Sequence, residues 1–234
     1  MRIVVLETSS LCGEVAIADE NGILATRVLT AARKHARDLI PEFRSLLANQ
    51  GWPPGAVDLI LVNAGPGSDT GLRVGIMTAK TMAYATGAKL VAPDAPSVLA
   101  ADAPADALSI RTIIDGQQGK VYSADFQRKT PAATPLQVGD VRILAAEDWC
   151  KTLAAGDYVT GPALARFRSL VPSYCHMPDD ADSQPTARGL YQVGYAAYLQ
   201  GHLADPWTLE PLYLRPSSAE EKWDRRQSTS GSSC

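Results

Sequence analysis

Aromatic side chains are scarce. Phe, Trp and Tyr together make up 6% of the chain, so the core must be built mostly from Ala, Leu, Val and Ile. Histidine is scarcer: His35, His176 and His202 stand far apart. There is no HExxH and no histidine pair at helical spacing, so no metal site is expected. The four cysteines, Cys12, Cys150, Cys175 and Cys234, form no CxxC pair and read as reduced thiols rather than a disulfide framework. No apolar run approaches the ~18 residues of a membrane-spanning helix. Met1-Arg2 leads straight into Ile3-Val4-Val5-Leu6, too short for a secretion-signal core, so a cytoplasmic location and no membrane contact are expected. Neither charge sign dominates: 22 Lys and Arg against 25 Asp and Glu leave −3. That argues against an autonomous nucleic-acid binder, while leaving room for a subunit that meets RNA beside a basic partner.

What is present is ordinary globular material, 46% hydrophobic and 20% charged over 234 residues, which excludes wholesale disorder. Ile3 to Leu6, Cys12 to Ala18 and Ile23 to Thr30 read as three strands. Asn21-Gly22 predicts a type I′ hairpin turn, which needs positive φ at both positions. A helix is expected over about His35–Asn49, with Leu39, Ile40, Phe43, Leu46 and Leu47 on one face. Pro41 leaves its start open. Val57 to Val62 reads as a buried parallel strand. A glycine-rich loop, Gly65 to Gly71, then opens a second helix over about Leu72–Thr86, and Lys89 to Ala92 reads as another strand. The order βββαβαβ describes a meander grown into a parallel sheet by helical crossovers. Ala100 to Ala105 reads as a linker. Beyond it the opening pattern recurs: Arg2 to Glu7 and Arg111 to Asp115 each end a strand in a carboxylate, and Gly13-Glu14-Val15 and Gly119-Lys120-Val121 each begin the next. Two related lobes are implied, residues 1–104 and 105–205. The second continues with helices near Ala146–Ala154 and Thr186–Gln200 and a strand at Tyr158–Thr160. Residues 206–234 are expected to pack back on the first lobe and to end in a disordered Ser/Gly-rich tail.

The sharpest chemical feature is Gly65-Pro66-Gly67-Ser68-Asp69-Thr70-Gly71-Leu72-Arg73-Val74-Gly75, between a buried strand and a helix. Its backbone N–H groups and the helix dipole could hold an anion or nucleotide through Gly65, Pro66, Gly67, Ser68, Thr70 and Gly71. It is neither a Walker A loop nor GxGxxG. The competing reading is a tight strand-to-helix turn capped by Ser68 or Thr70, and Asp69, which would oppose a bound phosphate, favours that one. Gly71, Gly75, Ala79 and Ala83 form a small-residue stripe that lets another element approach closely. That element is either the chain's own sheet or another helix, with Leu39, Phe43 and Leu47 offering a companion apolar face. Arg33, Lys34, His35 and Arg37 form a basic run, read as a solvated face. Glu7 and Asp115 are strand-end carboxylates that either face one inter-lobe cleft or merely cap turns.

Gly65 to Gly75 resembles the GPGSFTGLRxG signature of the TsaB (YeaZ) family, and the likeness continues through Ile76-Met77-Thr78-Ala79-Lys80. His35 to Pro41, Asp115 to Tyr122 and Pro211 to Pro216 are similar to the same family, in order, along nearly the whole chain. Asp69 departs from it, standing where the family has Phe. The resemblance implies an α/β fold of the actin-like ATPase (ASKHA) superfamily, with two RNase-H-like lobes of mixed sheets flanked by helices. It implies a non-catalytic, dimerising scaffold for TsaD, the paralogue that transfers threonylcarbamoyl to the adenine 3′ of the tRNA anticodon. TsaE, an ATPase, would join that complex. The interface implied is a four-helix bundle built from the two first-lobe helices, here carrying Leu39, Phe43, Leu47, Gly75, Ala79 and Ala83. A homodimer is implied when the chain is alone, with tRNA met only indirectly. No cofactor is expected in the isolated chain, ATP or ADP belonging only to the complex. Glu7-Thr8-Ser9 matches the opening of TsaD, but Leu11 and Cys12 replace its next Asp and Glu. Ala95 and Leu99 fall where TsaD has metal-binding histidines. Glu7 and Asp115 would then be vestigial cleft carboxylates, with no catalytic residue. The alternative is an independent ATP-dependent transferase or a metallopeptidase-like enzyme.

Overall fold

A computed structural model of the chain describes residues 1–29, 35–131, 133–179 and 183–212. In chain order the elements are β1 (Ile3–Glu7), β2 (Glu14–Asp19), β3 (Gly22–Val28), α1 (His35–Asn49), β4 (Leu59–Val62), α2 (Asp69–Thr86), β5 (Lys89–Val91) and α3 (Ala95–Asp102). There follow β6 (Ser109–Asp115), β7 (Lys120–Gln127), β8 (Leu136–Ala145), α4 (Ala146–Trp149), β9 (Tyr158–Thr160), α5 (Leu164–Phe167) and α6 (Ala187–Leu199). The strands form two sheets, ordered β3-β2-β1-β4-β5 and β8-β7-β6-β9. In each, the first three strands are an antiparallel meander and the fourth pairs in parallel with the first. The expected pseudo-repeat is therefore a repeat of topology, with β6 in the place of β1.

β1 and β4 are buried along their whole length, because helices cover both faces of the first sheet. On one face Val4, Leu6, Ile60 and Val62 pack with Leu39, Leu46 and Leu47 of α1 and Ile76 and Ala79 of α2. On the other, Ile3, Val5, Leu59 and Leu61 pack with Ala187 and Leu190 of α6 and Val98 of α3. This alternation along a strand is what a period of two requires when both faces are covered.

Several expectations are corrected. The first hairpin turns one residue earlier than Asn21-Gly22. Asp19 Oδ1 accepts the Asn21 N–H at 2.7 Å, and Gly22 already pairs with Asp19 as the first residue of β3. Only Gly22 has positive φ, so the turn is not type I′. Pro41 lies inside α1, and Ile40 points outward at 44% exposure. α2 starts at Asp69, because Ser68 Oγ accepts the Gly71 N–H and caps the helix. Ala100 to Asp102 are not linker but the end of α3, a helix nucleated by Asp94, whose carboxylate accepts the Ser97 N–H at 2.8 Å. A second-lobe boundary at residue 205 takes in α6, which packs on the first sheet. β8 has no expected counterpart, since its residues are mostly exposed and do not alternate. Residues 204–212 lie along the first lobe: Ala204 N–H donates to Leu90 O, Leu212 N–H to Ala64 O, and Lys80 Nζ to Leu209 O at 2.9 Å. Arg33 and Lys34 of the basic run, and the chain from Tyr213 onward, lie outside the described residues.

Candidate functional site

β1 delivers Glu7 to the end of the first sheet, where Thr8, Ser9 and Ser10 turn back beneath the start of α2. All four are buried. Glu7 Oε1 accepts from the Ser9 N–H at 2.8 Å and from Ser9 Oγ at 2.6 Å, and Oε2 accepts from Asn63 Nδ2 at 2.6 Å. Asn63 in turn accepts the Gly65 N–H at 2.8 Å, so one polar network joins the ends of β1 and β4 to the glycine loop. Burial raises the Glu7 carboxyl to about 7, against the pull of these donors. Asp115, its counterpart on β6, is largely exposed and accepts the Gln117 N–H at 2.8 Å as a turn cap. The repeat places both carboxylates at equivalent strand ends, but Glu7 is closed to solvent while Asp115 is open to it. Ser9 is noted in the sequence only as part of Glu7-Thr8-Ser9, and Asn63 was missed by sequence reasoning. An Asn directly after the apolar run Leu59–Val62 was the available signal.

The glycines of the signature are explained by close approach. A Cβ on Gly67 would lie 2.3 Å from Ser9 O, one on Gly71 2.0 Å from Thr8 O, and one on Gly75 2.1 Å from Thr8 Oγ1. The first turns of α2 thus rest directly on the Thr8–Ser9 backbone, and Ser68 N–H donates to Ser9 O at 2.7 Å. Gly65, with φ of 99°, needs the left-handed region. Of the six loop residues proposed to cradle an anion, Ser68 is committed to capping α2, Thr70 lies in its first turn, and Gly67 and Gly71 make room for the neighbouring chain.

A second polar cluster fixes α6. Asp102, at the end of α3, accepts from Thr186 N–H at 3.0 Å and Thr186 Oγ1 at 2.7 Å, and Glu14 of β2 accepts the Ala187 N–H at 2.6 Å. Carboxylates at a helix N-terminus satisfy its free donors and its dipole. Burial nevertheless raises Asp102 to about 6. An aspartate inside an alanine run was the unread signal.

The expected interface residues are inside the molecule. Leu39, Phe43, Leu47, Ala79 and Ala83 are all core, and Gly75 is buried against Thr8. The apolar face of α1 and the small stripe of α2 are thus spent on the chain's own sheet, the bland alternative. The outward side of the pair carries Ile40, Met77 at 59% exposure and Tyr84 at 73%. Tyr84 meets Trp207 of the C-terminal strap edge to face, with centroids 5.3 Å apart.

Two sheets, the second repeating the order of the first four strands of the first, are joined in tandem, with a helix returning from the second lobe to the first, and make a two-lobed α/β fold. A Pseudomonas aeruginosa crystal structure, described as an uncharacterized protein with similarity to peptidase YEAZ, superposes with a TM-score of 0.79 at 26% identity. It covers 92% of this chain and 99% of its own. The family model "TsaD: tRNA N6-adenosine threonylcarbamoyltransferase" matches residues 23–166, and the chain belongs to that family, among its TsaB (YeaZ) members. The Bacillus subtilis tRNA threonylcarbamoyladenosine biosynthesis protein TsaB is 27% identical over 97% of this chain and 100% of its own length. The Escherichia coli protein of the same name is 24% identical over 95% and 98%.

Proposed function

We propose that this chain acts in the making of tRNA threonylcarbamoyladenosine as a non-catalytic subunit that pairs with TsaD and holds it in an active arrangement. In this reading TsaE joins the pair, ATP or ADP is bound only in the complex, tRNA is met indirectly, and the chain alone forms a homodimer. The observation that carries the reading is the fate of Ala95 and Leu99, the positions that correspond to metal-binding histidines in TsaD. Both are fully buried and pack with Ile114 as apolar core, so this helix is used for joining the lobes and has no side-chain atom there to ligate a metal. Glu7, whose raised pKa would suit a general base, is closed to solvent, and the glycine loop is filled by the Thr8–Ser9 chain. Both observations count against an independent enzyme.

The pairing surface we assign is the outward side of α1 and α2, with Ile40, Met77 and Tyr84 as its apolar contacts. Phe43 and Ala79 are unsuitable probes, because changing either disturbs this chain's own core. Met77→Asp should fold normally, weaken association with the organism's own TsaD by roughly tenfold or more, and lower tRNA modification in parallel. Size exclusion of the mixture and a threonylcarbamoylation assay measure the two. A folded Met77→Asp chain that pairs with TsaD at wild-type affinity would remove this surface from the proposal. Full modification by TsaD without any of this chain would remove the subunit role itself.

A further inference from the structure

At the inner angle between the lobes lies a cavity of about 480 Å³, within the ordinary range of small-molecule sites. Its walls are the end of α3 with the joint at residues 101–105, the loop after β7 around Arg128 and Thr134, and the first two turns of α6 with Arg188 and Gln192. It is remote from the end of β6 that carries Asp115, because Arg128 follows Gln127, which pairs with Ser109 at the opposite end of that strand. It is therefore a different place from the glycine loop and the strand-end carboxylates.

Two of the walls are held in place. The Arg128 side chain, 7% exposed, directs its guanidinium at four carbonyls, those of Ala100, Ala103, Pro104 and Ala107. It thereby closes the C-terminus of α3 and stiffens the joint. Both oxygens of Asp102, the one carboxylate on the wall, are taken by Thr186. What remains open is donor chemistry. The Arg188 side chain is exposed and makes no hydrogen bond or ion pair among the described residues; Gln192 and Thr134 are also exposed on the walls. The Arg128 guanidinium is spent on the carbonyls of the joint, the Arg188 charge lies near the already occupied Asp102 carboxylate, and the surfaces between them are Ala, Pro and Val.

We propose that this inter-lobe cavity is a binding site for a small organic anion, with a carboxylate or phosphate held by the Arg188 guanidinium and assisted by Gln192. Arginine presents paired N–H groups that match either anion two to two. The apolar wall accepts the body of the ligand, and the preformed joint means that little must be ordered on binding. The site does not depend on the subunit reading, since none of its residues lies on the outward side of α1 and α2.

The test is nuclear magnetic resonance titration of the full chain with AMP and with citrate, following the backbone amides of Arg188 to Val193 at constant ionic strength, with adenosine as the uncharged control. Saturable shifts are expected for at least one of the two anions and none for adenosine. AMP alone would assign a phosphate, citrate alone a carboxylate, and both the shared anionic group. Arg188→Glu should weaken binding at least about tenfold, and Gln192→Ala by less, with the rest of the spectrum unchanged. No saturation by either anion up to about 10 mM, equal shifts with adenosine, or binding that Arg188→Glu leaves intact would overturn the proposal.

Discussion

Glu7 shows how one residue can be dictated by sequence and yet misread from it. Its place at a strand end was legible in the repeat with Asp115. Its closure was not, because burial depends on Asn63 and on α2, 56 residues and more away in sequence. The consequence is measurable. In the folded chain Glu7 titrates near 7 and Asp102 near 6, against 4.5 and 3.8 for the free side chains. Between those limits the folded state keeps protons that the unfolded state has released. These two groups therefore stabilise the fold fully below about pH 4, and that contribution is lost as pH rises through 6 to 7. For Glu7 alone it amounts to roughly 3 kcal/mol. Glu7→Gln cannot titrate, and its amide also misplaces a donor against Asn63 at a fixed cost of about 1–3 kcal/mol. Urea unfolding at stepped pH should show the variant gaining on the wild type from pH 4.5 to 7. A gap that does not change with pH would show that Glu7 titrates normally. The glycines give a second prediction. Gly71→Ala puts a methyl group onto backbone that cannot swing aside, Thr8 O, and should cost about 1–3 kcal/mol of stability by the same measurement.

At the level of elements, hydrophobic spacing reported which faces of α1 and α2 are buried, and did so correctly for Leu39, Phe43 and Ala79. It could not report what buries them, since periodicity carries no information about the opposing surface. A helix with one apolar stripe gives that stripe to its own sheet first, so an interface must be sought among the residues left over, here Met77 and Tyr84. β8 was illegible for the opposite reason: an exposed edge strand has no core to impose alternation. The end of α3, Ala100 to Asp102, was mistaken for linker because alanine and aspartate suit both, and only the Asp94 cap and the distant Arg128 decide. Arg128 therefore deserves a test of its own. Replacing it by Met keeps the aliphatic stem but takes the guanidinium donors from all four carbonyls, leaving Ala100 and Pro104 only their backbone partners, at a cost of about 1–3 kcal/mol. Hydrogen exchange should quicken at Ala103 and Ala107, whose amides close the turns at the joint. Unchanged exchange there would mean that the clamp adds no rigidity.

Over the whole molecule, two lobes were legible because strand, turn and strand recur in the same order at Glu7 and at Asp115. Their true boundary was not, because α6 follows the second lobe in sequence and completes the first in space. The inner face of the first sheet shows what this costs. Ile3, Val5, Leu59 and Leu61 are fully buried beneath Ala187 and Leu190, and a Cβ on Gly194 would sit only 3.0 Å from Leu61, so helix and sheet are in close contact. Asp102 and Glu14 hold the first turn of α6 from two different elements. A fragment ending at residue 104 would keep α1 and α2 on one face but leave the other covered only by α3, exposing the apolar side chains that α6 now buries. Such a fragment should be expressed as an aggregating or partly ordered species, despite containing every strand of its sheet. Adding a peptide of residues 183–212 restores α6 and the strap along β5, and should convert the fragment to a folded monomeric complex with dispersed amide resonances. A Glu14→Ala, Asp102→Ala version of the fragment should take up the same peptide at least about tenfold more weakly, since two charged caps worth roughly 1 kcal/mol or more each are gone. A fragment 1–104 that is monomeric and well dispersed without the peptide would show that the first lobe folds independently and that α6 is an accessory to it.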